Sequence, residues 1–237
     1  MSNRDNNKII SIRVMKIGIV GGTGGMGQGF AIRWCPNHDV LIGSRDAARA
    51  ADAAEKYTKI AIDAYGKING TISGNDNESI VKESDVLVLS IQYENIESTC
   101  SKLLPLVKDS CVVISPIVPM TKTDVGFEFI PIKENKPFSY QLVEKHMKDK
   151  SKLVSAFHVI SEKKLANPSL KLDYDIFVCG DDQNSVNVVN GLINEIQGLR
   201  PLYLGPGSLS YFAEVSTPLL LNAMIKNKLK NPGIKII

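Results

Sequence analysis

No apolar run in these 237 residues approaches the roughly 20 positions that a membrane-spanning helix needs. Cysteine is scarce and scattered. Cys35, Cys100, Cys111 and Cys179 make no CxxC pair and no metal-ligand spacing with a histidine. Three lie inside the apolar segments "AIRWC", "SCVVIS" and "IFVCGDD", so they read as buried free thiols of a reducing cytosol rather than disulfide partners or ligands. There is no HExxH, no Ser-His-Asp spacing and no internal repeat. The one tight carboxylate pair, Asp181–Asp182, follows "VCG" and reads as a turn and helix cap. A net charge of +3 is too small to argue for nucleic acid or an anionic membrane. The polar start "MSNRDNNKIISIRV" lacks the apolar core of a secretory signal. Residues 1–14 are expected to be a flexible extension before Met15, and the cytoplasm is the default address.

With 43% hydrophobic residues the chain can bury a real core. Short apolar runs alternate with helical stretches. "KIGIVGG" (16–22) ends in glycine, as a strand buried on both faces does, and "GMGQGFAIRWC" continues as a helix. "HDVLIGSR" (38–45) is a second strand, and the alanine-rich stretch to Gly66 a long helix. "GTISG", "DVLVLSIQ" (85–92) and "CVVISPI" (111–117) supply three more strands, with helices at "NESIVKES" and about 94–107 between them. This β-α-β alternation predicts a doubly wound parallel sheet with right-handed crossovers. Residues 118–136 read as a loop with room for a short hairpin. A helix at 139–149, strands at 152–160, 174–182 and 200–205, a helix through "QNSVNVVNGLINEIQ" and a last helix interrupted near Pro218 follow. The expected partition is a nucleotide-binding domain over 15–118 and a smaller α/β domain over 119–237.

Gly22, Gly24 and Gly27 fit G-x-G-x-x-G between a buried strand and a helix, where the motif has a mechanical meaning. The first glycine permits a sharp turn. The second clears space for a pyrophosphate, and the third lets the helix pack on the strand and aim its amides at the anion. The second strand then ends "IGSRD". An acidic residue there would take a ribose 2′-hydroxyl, but Ser44 and Arg45 stand at that place, with Arg49 one helical turn on. A hydroxyl and two guanidiniums suit a 2′-phosphate, and arginine at a helix start opposes the helix dipole unless an anion relieves it. Asp46 adds an opposing charge nearby. The pattern predicts NADP over NAD.

Ligands of open α/β sheets bind beyond the carboxyl ends of the strands. That would place Ile91 and Val118 against the cofactor rings, though both equally suit plain core, and would put His158, within "KLVSAFHVI", either near a bound ring system or in a structural role. His38 and His146 read as structural or exposed. The absence of an acid–base constellation fits direct hydride transfer between bound cofactors, which needs proximity and orientation first.

Taken in order, "GGTGGMGQG", "IGSR", "VVISPIVP", "VSAFH", "VCGDD", "GLRPL", "TPLLLN" and "GIKII" make the chain resemble the archaeal and actinobacterial F420-dependent NADP reductases from about Met15 onward. The resemblance implies an N-terminal Rossmann domain for NADP and a small C-terminal domain, with the deazaflavin of coenzyme F420 in the cleft between them. Hydride would pass reversibly between deazaflavin C5 and nicotinamide C4. By matching position, Thr23, Gly24, Gly25 and Met26 would line the pyrophosphate, and Ser44, Arg45 and Arg49 would hold the 2′-phosphate. Ile91 and Val118 would flank the cofactor, and His158 and Thr217 would approach F420. Gln92, Tyr93, Asn95, Tyr211 and Val215 depart from the residues usual in that family. Two other readings share the nucleotide site: an imine or ketone reductase related to pyrroline-5-carboxylate reductase, and a non-enzymatic NADP sensor. The apolar helix "TPLLLNAMI" makes a homodimer plausible.

Overall fold

The computed structural model describes residues 14–230 and 233–237. The expected extension over 1–14 lies outside the described residues except for Val14. The first half follows the predicted alternation: β1 (Lys16–Val20), α1 (Gly25–Trp34), β2 (Asp39–Ser44), α2 (Ala47–Tyr65), β3 (Ile72–Asp76), α3 (Asn77–Glu83), β4 (Val86–Leu89), α4 (Ile96–Leu103) and β5 (Val112–Ser115). Strands β1, β2, β4 and β5 are apolar and buried nearly throughout, as strands covered on both faces must be. Helix α2 buries only one stripe, Ala50, Ala54, Tyr57 and Ala61, and stops at Gly66 with φ +73°. The spacings of three and four residues put that stripe on one side of the helix.

After β5 the chain makes the hairpin β6 (Met120–Thr123) and β7 (Gly126–Phe129), then α5 (Ile130–Glu134) and α6 (Ser139–Glu144). The hairpin fits the expectation for the loop; α5 does not, and α6 ends well short of 149. The remaining elements are β8 (Leu153–Ser155), α7 (Glu162–Leu165), β9 (Tyr174–Gly180), α8 (Gln183–Asn194), β10 (Leu199–Gly205) and α9 (Ser210–Lys226).

One eight-stranded sheet runs β10-β9-β8-β5-β4-β1-β2-β3. The strands beyond residue 118 therefore join the same sheet as those before it. β8 pairs in parallel with β5, while β9 pairs antiparallel with β8 and carries β10 beside it. α1, α2 and α8 cover one face, and α3, α4 and α6 the other.

Two expectations are corrected. The strand expected over 152–160 ends at Ser155, so His158 lies in the turn beyond it. Phe157 adopts φ +70°, which no strand tolerates, and its ring packs edge-on against Phe30 and Trp34. The final helix is not interrupted at Pro218: α9 runs through it. Proline removes only one backbone hydrogen bond, and packing of α9 against α6, β7 and β9 holds the helix across the gap.

Candidate functional site

The neighbours of β1 are β4 on one side and β2 on the other, so the chain reverses its winding direction there. A cleft of about 1120 Å³ opens at this switch point. The structure brings Gly24, Gly25, Met26, Ile91, Val118, His158 and Thr217 together around it. Gly22 and Gly27 lie beneath, as packing residues. A Cβ on Gly27 would fall on the Gly22 backbone, so the third glycine does permit the close helix–strand contact expected of it. The sharp turn belongs to Gly21 rather than Gly22. Gly21 has φ +73° and no room for a side chain beside the Ser90 carbonyl. Gly22 instead donates its N–H to Gly43 O at 3.0 Å and accepts from the Tyr57 hydroxyl at 3.3 Å, which ties the turn to β2 and α2.

The start of α1 suits an anion. Gly24 caps it without a side-chain hydrogen bond, its first turn holds no acidic residue, and a Cβ on Gly24 would approach only Gly21 O, at 3.6 Å. Thr23 is partly buried in the turn just before. Facing the helix start, a Cβ on Gly25 would lie 2.8 Å from the Glu162 carboxylate of α7.

Ser44, Arg45 and Arg49 sit at the carboxyl end of β2, outside the lining of the main cleft. Ser44 is buried, while both arginines are exposed and make no ion pair with another described residue. Asp46 is turned to its own helix: Oδ1 accepts from the N–H groups of Ala48 (2.9 Å) and Arg49 (3.2 Å). Its charge is thus committed to capping α2, and two unpaired guanidiniums with one hydroxyl fit a phosphate.

The far wall of the cleft is mostly apolar. Ile91 and Val118 face Leu220, Leu221 and Met224 of α9, which share a helix side with Thr217 through spacings of three, four and seven. That periodicity was available in the sequence; Met120, brought in by the hairpin, had no such signal. Asn222 fixes the hairpin to α9, accepting from Phe127 N–H at 2.8 Å and donating to Phe127 O at 2.6 Å.

His158 is buried, and burial pushes its imidazole down to about 3, so the ring is neutral. Its Nε2 lies 3.4 Å from the Ser155 hydroxyl, and its Nδ1 has no partner among the described residues. Thr217 donates its hydroxyl to His158 O at 2.7 Å, joining α9 to the turn after β8. An apolar slot with one orphaned ring nitrogen suits a flat heterocycle that carries hydrogen-bonding edges.

The four cysteines are buried and unpaired, as expected, and burial raises their thiols to about 11 or 12. Among the described residues no cluster of three or more His, Cys, Asp or Glu could hold a metal, and no helix is long and apolar enough to cross a membrane. His38 is structural: it accepts from Met15 N–H at Nδ1 and pairs through Nε2 with Glu195 at 3.0 Å.

Residues 16–119 match the family model described as NADP oxidoreductase, coenzyme F420-dependent. The chain is 36% identical to the F420-dependent NADP reductase of Methanocaldococcus jannaschii, over 94% of this chain and 98% of that one. It is 31% identical to the F420-dependent NADP reductase of Methanothermobacter thermautotrophicus, over 96% and 97%. A solved structure from Arthrobacter sp. FB24, provisionally named an F420-dependent NADP-reductase, superposes with a TM-score of 0.72 at 16% identity. It covers 94% of this chain and 99% of its own, and shows the shared fold.

Proposed function

The chain belongs to the family of coenzyme F420-dependent NADP oxidoreductases, and from that premise we infer that it passes hydride reversibly between F420 and NADP. The observation that carries this reading is the cleft at the strand switch point, lined both by an anion-ready helix start and by an apolar, histidine-bearing slot. Gly24, Gly25 and Met26, with Thr23 beside them, take the pyrophosphate. Ser44, Arg45 and Arg49 take the 2′-phosphate, and Ile91 and Val118 flank the nicotinamide. His158 and Thr217 approach the deazaflavin. Bound together, the two cofactors supply the redox chemistry; the chain's own part is to bind them, stack them and keep water away.

In this reading residues 15–118 form the NADP half and 119–237 complete the F420 side. Three strands beyond residue 150 support it over an all-helical C-terminal half of the pyrroline-5-carboxylate reductase kind. Phe212 and Leu219, both more than half exposed on α9, support a homodimer joined through that helix. Four buried free thiols support a cytoplasmic address.

The test is to mix the protein with NADPH and oxidised F420 and follow loss of the deazaflavin's visible absorbance, with FMN and NADH as controls. NADPH-specific bleaching is expected. NADPH binding without bleaching would move the imine-reductase and sensor readings forward.

A further inference from the structure

A row of buried polar side chains leads away from the cleft beneath α9. His158 stands at its cleft end, 3.4 Å from Ser155. Ser155 is the register partner of Cys179 on β9, so their side chains share one face of the sheet. The Ser210 hydroxyl faces the Cys179 thiol closely enough to favour its ionised form, at the edge of hydrogen-bonding geometry. Ser210 and Glu214 are one helical turn apart on α9. All five side chains are buried.

Glu214 ends the row. Its Oε2 accepts from Ser139 N–H at 2.8 Å and its Oε1 from Tyr140 N–H at 3.0 Å, at the start of α6. Burial pushes its carboxyl up to about 8, against the pull of those two donors. The titratable groups around it are the Tyr140 phenol from α6, the Cys179 thiol from β9 and the Tyr93 phenol from the turn before α4. Asp181 lies beyond β9 and accepts from the Tyr140 hydroxyl at 3.2 Å. No basic side chain pairs with Glu214 among the described residues. Among the described residues the hydroxyls of Ser115, Ser139 and Ser210 are buried without a well-formed hydrogen bond. Such groups are expensive unless they serve a purpose.

We propose that this row is a proton path serving the cleft, with His158 at its mouth and Glu214 as the residue that holds the proton. The inference rests on the hydride-transfer reading above. Oxidation of a reduced deazaflavin by NADP releases one hydride and one ring N–H proton. The C–H bond broken at C5 is replaced by one at nicotinamide C4, both electrons travel with the hydride, and the proton must go elsewhere. His158 accepts that proton at the free Nδ1 and gives up the one on Nε2 to Ser155. Cys179 and Ser210 pass one on, and the Glu214 carboxylate becomes a carboxylic acid. In the opposite direction the same groups return it, so no further oxidant or reductant is needed.

The experiment compares wild type with Glu214→Gln, Cys179→Ala and Cys179→Ser in single turnovers run in both directions across pH. It adds infrared spectra of the free protein over the same range. Oxidation of reduced F420 should quicken, and reduction of F420 should slow, as pH rises through about 8. Both inflections should vanish in Glu214→Gln and Cys179→Ala, with a loss of about a hundredfold on the favoured side. They should survive in Cys179→Ser, which keeps a hydroxyl in the row. The free wild-type protein should show a carboxylic-acid band that titrates in the same range and is missing from Glu214→Gln. Unchanged inflections in Glu214→Gln and Cys179→Ala, with hydride transfer intact, would overturn the path alone. Absence of any hydride transfer in wild type would remove the path together with the reading beneath it. Should Glu214→Gln fail to fold, the Cys179 pair still decides, because neither variant touches the α6 cap.

Discussion

Gly27 leaves no room for a methyl group, because its missing side chain is where the Gly22 backbone passes. Gly27→Ala should cost about 1–3 kcal/mol of stability by overpacking, read from chemical denaturation, and should weaken NADP binding by moving α1 off the turn. Arg45 is the opposite kind of residue, exposed and without an ion pair among the described residues. Its loss should leave the fold alone. Arg45→Ala should weaken NADP binding by about 1.5–3 kcal/mol, the worth of a charged hydrogen bond, and leave NAD binding nearly unchanged in calorimetry. An equal loss for both nucleotides would remove the 2′-phosphate assignment.

At the scale of elements, α7 is a four-residue helix that could not persist alone. It is held by Arg33 of α1, which is buried although charged. Arg33 donates to the carbonyls of Leu165 (3.0 Å), Lys164 (3.3 Å), Asn167 (2.6 Å) and Leu170 (2.9 Å). These carbonyls lie at and beyond the end of α7, and those of Leu165 and Leu170 accept from no backbone N–H among the described residues, so one guanidinium serves as its C-terminal cap. Arg33→Met keeps the apolar stem and strands the Leu165 and Leu170 carbonyls. About 3 kcal/mol of stability should be lost, and amide exchange should rise across 158–170, where Glu162 and Lys163 line the cleft.

Across the whole molecule, two buried groups bend stability against pH in opposite senses. His158 has a folded pKa near 3 against an ordinary 6.5, so its contribution is present above 6.5 and is lost as pH falls toward 3. Glu214 has a folded pKa near 8 against an ordinary 4.5, so its contribution is present below 4.5 and is lost as pH rises toward 8. Between about 4.5 and 6.5 the two slopes cancel. From this pair, stability should be flat over that window, fall by up to one proton's slope below it, and fall likewise from 6.5 to 8. Urea titrations at a series of pH values would show the plateau. Glu214→Gln should flatten the upper limb and tilt the plateau, so that stability then falls steadily as pH drops from 6.5 toward 3.

The alternation of strands and helices through β5, the glycine turn and the basic end of β2 were legible in the sequence, because each depends on local chemistry. Buried strands must be apolar along their length, a backbone that turns beside a strand must lack a side chain, and a helix start that lacks acidic residues invites an anion. Six of the expected site residues line one cleft for the same reason: strand ends and the first helix start meet at the switch point, while Thr217 reaches it from α9. Other features depended on contacts between residues far apart in the chain, and local pattern carries no trace of those. Phe157 takes a left-handed backbone to fill a space between Phe30 and Trp34, and so turns His158 out of the strand. β9 reverses against β8, and α9 crosses Pro218 because packing on both sides outweighs one missing bond. Glu214, with no local motif to mark it, was buried by the meeting of α9 and α6, and only that meeting turned an ordinary glutamate into a carboxyl that titrates near neutrality.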